Sequence, residues 1–195
     1  MLLDRLRNYQ LILASGSPRR QQFFKELGMT VKIRLKPVKE EFPDRLRHFE
    51  ISDYLAQLKA LPFKDELKAH DILITSDTIV WHNNQALGKP RSPKDAFNMI
   101  KAMSGNSHEV ITSVCFTTTS QQKTVNAITK VTFNTLTNDE INYYIDNYQP
   151  YDKAGSYGIQ EWIGQIGISK IEGSYTNVVG LPTQLVYKTL NSMVL

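Results

Sequence analysis

The stretch QLILASGSPRRQQFFKELG, from Gln10 to Gly28, restricts what this chain can fold into more than any other. The run Leu11-Ile12-Leu13-Ala14 is apolar and short, the pattern of a buried strand. Ser15-Gly16-Ser17 then turns the chain into a segment of helical spacing. Ser17 is a good N-cap, and Pro18 fits the first helical position because it has no N–H to lose. Phe23, Phe24 and Leu27 make one apolar face, and Gly28 is placed to close the helix as its C′ residue. A strand therefore feeds a helix through a tight, small-residue turn. The first turn of that helix offers free backbone N–H groups, the positive end of a dipole, and the guanidinium groups of Arg19 and Arg20. Such a place suits an anion, phosphate foremost. A capped surface helix with two solvated arginines would explain the cap, but neither the Gly16 turn nor the doubled arginine. No Gly-Lys-Ser/Thr follows, so this is not a Walker A loop.

With 195 residues, 41% of them apolar and 22% charged, the chain can bury a substantial core as one domain or a compact two-lobed one. No apolar run approaches a membrane span, and MLLDRLRNYQ places an acid and arginines where a signal peptide needs an apolar core, so a cytoplasmic location is expected. The lone Cys115 fits a reducing compartment and has no internal disulfide partner. The net charge of +4 is uneven: residues 1–64 hold 13 Lys/Arg against 7 Asp/Glu. A basic region of this kind fits nucleic acid, a membrane surface or a small polyanion such as a nucleotide. Its cations are scattered and lack interleaved aromatics, which makes extended nucleic-acid binding the weakest of these.

Further along, Val31 to Leu35 alternates apolar and basic residues as a half-exposed strand does, and it leads into a Pro-bounded loop carrying Glu40 and Glu41. The spacing predicts a helix over Phe49–Ala60 with Ile51, Tyr54, Leu55 and Leu58 on one face, which puts Lys59 beside the buried stripe; a snorkelling lysine is the plain alternative. Asp71 to Trp81 reads as a strand whose middle, Thr75-Ser76-Asp77-Thr78, is too polar for burial without partners. If a cleft opens there, Asp77 is a carboxylate on a rigid element, suited to a general base or a metal ligand; otherwise it caps a turn between two strands. His82 to Gln85 reads as a hairpin turn, and Gly88-Lys89-Pro90 presents a lysine on a loop, a frequent phosphate contact.

Ser92 and Pro93 open another helix, with Ala96, Met99, Ile100 and Met103 as its core face and Gly105 at its end. Val110–Thr119 and Thr124–Leu136 form a predicted hairpin. Thr137 and Glu140 make a capping box for a helix with Ile141, Tyr144, Ile145 and Tyr148 on one face, stopped by Pro150. Lys153 to Pro182 holds six of the ten glycines among large apolar residues, which indicates close backbone approach or unusual dihedrals at several places rather than a linker. Gln160 lies within it, with an amide able to read a base edge or to serve as a structural hydrogen-bonder. A short amphipathic helix follows Pro182. The four histidines show no zinc-site spacing.

The segments LASGSPRR, SDTIV, LGKP, AGSYGIQ and EGSYTNVVGLP, in that order, resemble those of the Maf family over nearly the whole chain. The resemblance implies a single Maf-like domain over residues 1–195: an α/β fold related to the inosine-triphosphate pyrophosphatases, with a mixed twisted sheet, flanking helices, and two lobes around a phosphate-binding cleft. It implies hydrolysis of nucleoside triphosphates to the monophosphate and pyrophosphate with a divalent cation, Mg²⁺ first and Mn²⁺ or Co²⁺ as alternatives. The SDTIV form resembles the branch acting on dTTP, UTP and modified pyrimidine nucleotides. A homodimer is suggested by the same resemblance, with no nucleic-acid or membrane partner.

Carried over by position, Asp77 matches the family's proton acceptor and also stands as a metal ligand. Arg19, Thr78 and Gln160 match positions tied to substrate choice, and Ser15, Arg20, Lys59 and Lys89 match positions that hold the triphosphate. Glu40 matches the loop acid that helps to bind metal. Lys39 stands where relatives usually carry a further acid, so a register slip of one would give this role to Glu41. The family's association with arrest of septum formation leaves a nucleotide-binding regulator of cell division as the second function class.

Overall fold

Alternation along two adjacent strands determines how the first part of the molecule is built. A computed structural model describes residues 1–194. The chain opens with helix α1 (Leu2–Arg5), strand β1 (Gln10–Leu13), helix α2 (Pro18–Glu26), strand β2 (Val31–Ile33), helix α3 (Phe49–Ala60) and strand β3 (Asp71–His82). β1 pairs in parallel with both β2 and β3. Side chains of successive residues point to opposite faces of a strand. Leu11, Leu13, Ile72 and Ile74 therefore share one buried cluster with Phe24, whereas Ile12 and Leu73 belong to another with Ala60 and Phe63. Burying such side chains stabilises by about 1.5–3 kcal/mol each.

The remaining strands and α-helices are β4 (Gln85–Leu87), α4 (Pro93–Met103), β5 (Ser107–Thr117), β6 (Gln122–Phe133), α5 (Asn138–Tyr148), α6 (Trp162–Gly167), β7 (Ile168–Glu172), α7 (Tyr175–Val179) and α8 (Thr183–Met193). Among the described residues seven strands form one mixed sheet in the order β2-β1-β3-β5-β6-β7, with β4 paired to β3. The β3–β4 and β6–β7 pairs are antiparallel. The fold is thus α/β, as expected. Among the described residues no helix is long and apolar enough to cross a membrane.

Two compact units divide the chain. The first comprises Met1–Asp77, Thr112–Ala127 and Gly180–Leu195; the second comprises Thr78–Ile111 and Ile128–Val179. In the second, Ala96, Ile100 and Met103 of α4 share a core with Ile141, Tyr144 and Ile145 of α5 and with Val131 and Phe133 of β6.

Local signals produce the elements they should. Ser17 Oγ accepts Arg20 N–H at the start of α2, and Ser92 Oγ accepts Asp95 N–H at the start of α4. The capping box at Thr137 and Glu140 is formed, and Asn83 and Asn84 both take positive φ in the β3–β4 turn. Three details differ from the sequence reading. The strand from Val31 ends at Ile33, and α3 is rotated so that Ser52 and Ala56 are buried while Tyr54 faces outward. The hydroxyl of Ser52 meets that of Ser113 at 2.7 Å, which rewards the rotation. The glycine-rich segment holds α6, β7 and α7, elements its composition conceals.

Candidate active site

The polar middle of β3 is buried, and within the first unit its partners come from α3. Thr75 Oγ donates to Ala56 O at 2.6 Å, so that hydroxyl is satisfied inside the sheet. Asp77 lies mid-strand, which removes the turn-cap reading, and its side chain is only 9% exposed. Its Oδ1 accepts Lys59 Nζ at 2.6 Å. The same ammonium, 16% exposed, reaches Glu40 Oε1 at 3.2 Å. Lys59 can do this because it sits on the flank of α3 next to Ala60 and Ala56, which are buried. A carboxylate, a lysine and a second carboxylate are thereby gathered from a strand, a helix and a loop. Glu41 turns away: its carboxylate pairs with Lys39 at 2.7 Å and is 68% exposed.

The N-terminus of α2 supplies the second group of the same unit. Ser15 is buried, and its Oγ accepts Ser17 N–H at 3.3 Å and Arg20 Nη1 at 3.5 Å. Arg20 Nη1 also donates to Ser76 O and Nε to Gly180 O, each at 2.9 Å. Two backbone carbonyls from distant parts of the sequence thus aim this guanidinium. Burial holds it below its ordinary pKa, Asp77 pushes it up, Arg19 pulls it down and Glu40 pushes it up. Arg19 adjoins it at the start of the helix. Ser76 Oγ is buried without a hydrogen-bond partner among the described residues. Its backbone carbonyl and that of Gly180 are contacts that sequence reasoning did not identify, since any residue type offers a carbonyl; Gly180, inside the segment EGSYTNVVGLP, was the one available signal.

The second unit holds Thr78, Lys89 and Gln160. Thr78 begins that unit's share of β3. Lys89 and Gln160 are exposed. Their loops are tied by Gly155 N–H, which donates to Gly88 O at 3.0 Å. Gly155 takes φ +69°, and a Cβ there would lie 2.7 Å from Val80 Cγ2. Val80, Gly88 and Gly155 come from the segments SDTIV, LGKP and AGSYGIQ, so three of the recognised motifs meet at one residue that must be glycine.

Among the described residues no three His, Cys, Asp or Glu side chains cluster closely enough to hold a metal ion. The acidic pair converging on Lys59 Nζ is the donor set that fits one: both offer only oxygen, and a hard cation takes one or two carboxylates and completes its shell with phosphate oxygens and water.

The profile of Maf-like proteins matches residues 10–193. The chain belongs to the Maf family. A Flavobacterium johnsoniae protein named dTTP/UTP pyrophosphatase is 58% identical over 194 residues, covering 100% of both chains. Proteins of the same name from Christiangramia forsetii (57% over 193 residues, covering 99% of this chain and 98% of the relative) and Bacteroides fragilis (48% over 193 residues, covering 98% and 100%) extend the similarity. In structure, the Staphylococcus aureus Ham1 protein matches with a TM-score of 0.54 at 13% identity, covering 94% of this Maf chain and 99% of the other. At that identity the likeness concerns the fold alone.

Proposed function

We propose that this Maf protein hydrolyses dTTP and UTP to the nucleoside monophosphate and pyrophosphate, with Asp77 as the proton acceptor. The similarity to relatives bearing that activity in their names runs from end to end. The observation that carries the residue assignment is the buried Asp77 carboxylate bonded to Lys59, with Glu40 on the same ammonium.

Hydrolysis at the α-phosphorus needs a base for the attacking water and cations for the departing pyrophosphate. Asp77 is rigid because it belongs to a strand and is oriented by the ammonium, so its carboxylate can take the water's proton without first being ordered. Arg20, aimed by two carbonyls, and Arg19 beside it place positive charge at the α2 N-terminus, where Ser15 and the positive end of the helix dipole receive phosphate oxygens. Lys59 and Lys89 are assigned to the triphosphate as further cations. Arg19, Thr78 and Gln160 are assigned to the choice of nucleotide. A divalent cation held by Glu40 and Asp77, Mg²⁺ in preference to Mn²⁺ or Co²⁺, would offset charge on the triphosphate.

The test is pyrophosphate release by the purified protein with Mg²⁺ across dTTP, UTP, CTP, GTP and ATP. The expected result is turnover concentrated on dTTP and UTP, reduced about 10³-fold in Asp77→Asn with the fold intact. Near-normal turnover in that variant would remove Asp77 from the chemistry. A folded protein that binds nucleotide and turns over none would overturn the enzyme reading in favour of a nucleotide-binding regulator.

A further inference from the structure

The residue assigned to read the base has no support of its own. Gln160 is exposed, and its amide has no hydrogen-bond partner among the described residues. The turn that carries it is differently placed. Gly158 N–H donates to Tyr144 Oη at 3.0 Å, and the same phenol donates its proton to Glu161 Oε2. Glu161 N–H closes onto Gly158 O at 3.0 Å. The other carboxylate oxygen, Oε1, takes the Lys153 ammonium at 3.0 Å. One side chain from α5 therefore holds both ends of Gly158-Ile159-Gln160-Glu161, and a lysine only 10% exposed neutralises the acid beside Gln160.

Little slack remains around this arrangement. A Cβ at Gly158 would lie 2.8 Å from Glu161 Cδ. Tyr144 is fully buried and stacks on Tyr148 with ring centroids 5.2 Å apart. Burial first, and then the Glu161 carboxylate, hold its phenol above the ordinary range, so it stays a donor.

The base chemistry makes such a frame necessary. Uracil and thymine present an N3–H donor beside an O4 acceptor, whereas cytosine presents an N3 acceptor beside an amino donor. A primary amide carries both functions and answers either pattern by flipping. It can discriminate only if the backbone beneath it fixes its approach.

We infer that Tyr144 is a positioning residue which, through Gly158 and Glu161, fixes how Gln160 meets the pyrimidine and so sets base selectivity rather than turnover. This rests on the assignment of Gln160 above. The experiment is steady-state pyrophosphate release on dTTP, UTP and CTP by wild type, Tyr144→Phe, Glu161→Gln and Gln160→Ala. Phenylalanine keeps the ring packing and removes only the hydroxyl. The expected result is an about tenfold fall in the UTP-over-CTP ratio of kcat/KM in Tyr144→Phe, carried by a raised KM for UTP, with kcat for UTP within about threefold of wild type. Glu161→Gln, which keeps an acceptor for the phenol but loses one of the two charges paired with Lys153, the other being Asp152 at 2.7 Å, lowers the ratio less. An unchanged ratio in Tyr144→Phe beside a lowered one in Gln160→Ala overturns the positioning role and leaves the reading of Gln160 standing. An unchanged ratio in Gln160→Ala overturns both. Should Tyr144→Phe fail to fold, Glu161→Gln decides alone: a lowered ratio supports the role, and an unchanged one overturns it.

Discussion

Lys59 and Arg20 in the first unit and Lys89 and Gln160 in the second stand in opposite states. In the first, Lys59 is answered by Asp77 and Glu40, and Arg20 by the carbonyls of Ser76 and Gly180. In the second, Lys89 and Gln160 are exposed with no hydrogen bond or ion pair among the described residues, while the backbone behind them is tied down through Gly155, Gly158 and Tyr144. The difference follows from where charge has to sit. A carboxylate inside a buried strand must be compensated by the protein itself, so the side chains proposed for the chemistry also serve stability. A group that meets only ligand can stay uncommitted, provided that order is built into the loop beneath it. Stability and activity should therefore fall together on mutation of the first set and separate on mutation of the second.

The largest effect tests that coupling at Lys59. Lys59→Met keeps an unbranched stem and deletes the ammonium, leaving the Asp77 carboxylate in β3 without its cation. Unfolding free energy should drop by about 3 kcal/mol in urea denaturation, and turnover on dTTP by about 10³-fold. The double variant Lys59→Met/Asp77→Asn should recover most of the stability, since no uncompensated charge remains in the strand, and stay inactive. Equal destabilisation in single and double variants would show that the pair is not energetically coupled, and the contrast would break in the first unit.

What the sequence disclosed follows the same division. Caps and turns were legible because their chemistry is local: Ser17, Ser92, Thr137 with Glu140, and Asn83-Asn84 each act within four residues of themselves. The position of Lys59 beside the buried stripe of α3 was legible from helical spacing, but its partners were not, because Asp77 and Glu40 reach it only through the tertiary fold. The choice between Glu40 and Glu41 was open in the sequence for the same reason. The loop that carries them has no periodicity to orient either side chain, and only the folded chain directs Glu40 to Lys59 and Glu41 to Lys39. The glycine-rich segment hid α6 because Gly164 is required by contact, not by turn propensity: a Cβ there would lie 1.8 Å from Ile159 O. Strand β7, half-exposed at its first residue and exposed along the rest, shows no alternation to read.

A smaller effect belongs to the frame of the second unit rather than to the residues proposed to meet ligand. His108 is 2% exposed; its Nε2 lies 2.7 Å from Tyr157 Oη, and its Nδ1 has no partner among the described residues. Burial, aided by the nearby His82, pulls this imidazole from 6.5 down to about 3. The folded state therefore keeps the ring neutral while the unfolded chain takes up a proton below about pH 6.5. The stability due to this group is complete above that pH and is lost as pH falls toward about 3, by up to about 1.4 kcal/mol per pH unit. Between pH 7.5 and pH 5 the expected loss is about 2 kcal/mol, read from urea midpoints. His108→Gln, which can still bond Tyr157, should remove that share of the slope, and an identical slope in the variant would assign the pH dependence to other groups.

The smallest effect on stability is expected at Lys89, and it bears most directly on the second half of the contrast. The loop beneath it is held by the bond from Gly155 N–H to Gly88 O at 3.0 Å, which a side-chain change at Lys89 does not touch. Lys89→Gln should thus leave the unfolding free energy within about 0.5 kcal/mol of wild type. Its cost should appear in binding: loss of one ammonium from the triphosphate raises KM for dTTP by about tenfold and changes kcat less. Paired urea denaturation and steady-state kinetics on one preparation check both halves. A stability loss above about 1 kcal/mol would mean that the ammonium has a structural partner, so the second unit would resemble the first. An unchanged KM would instead take Lys89 away from the triphosphate and leave Gln160 as the residue that carries the contrast.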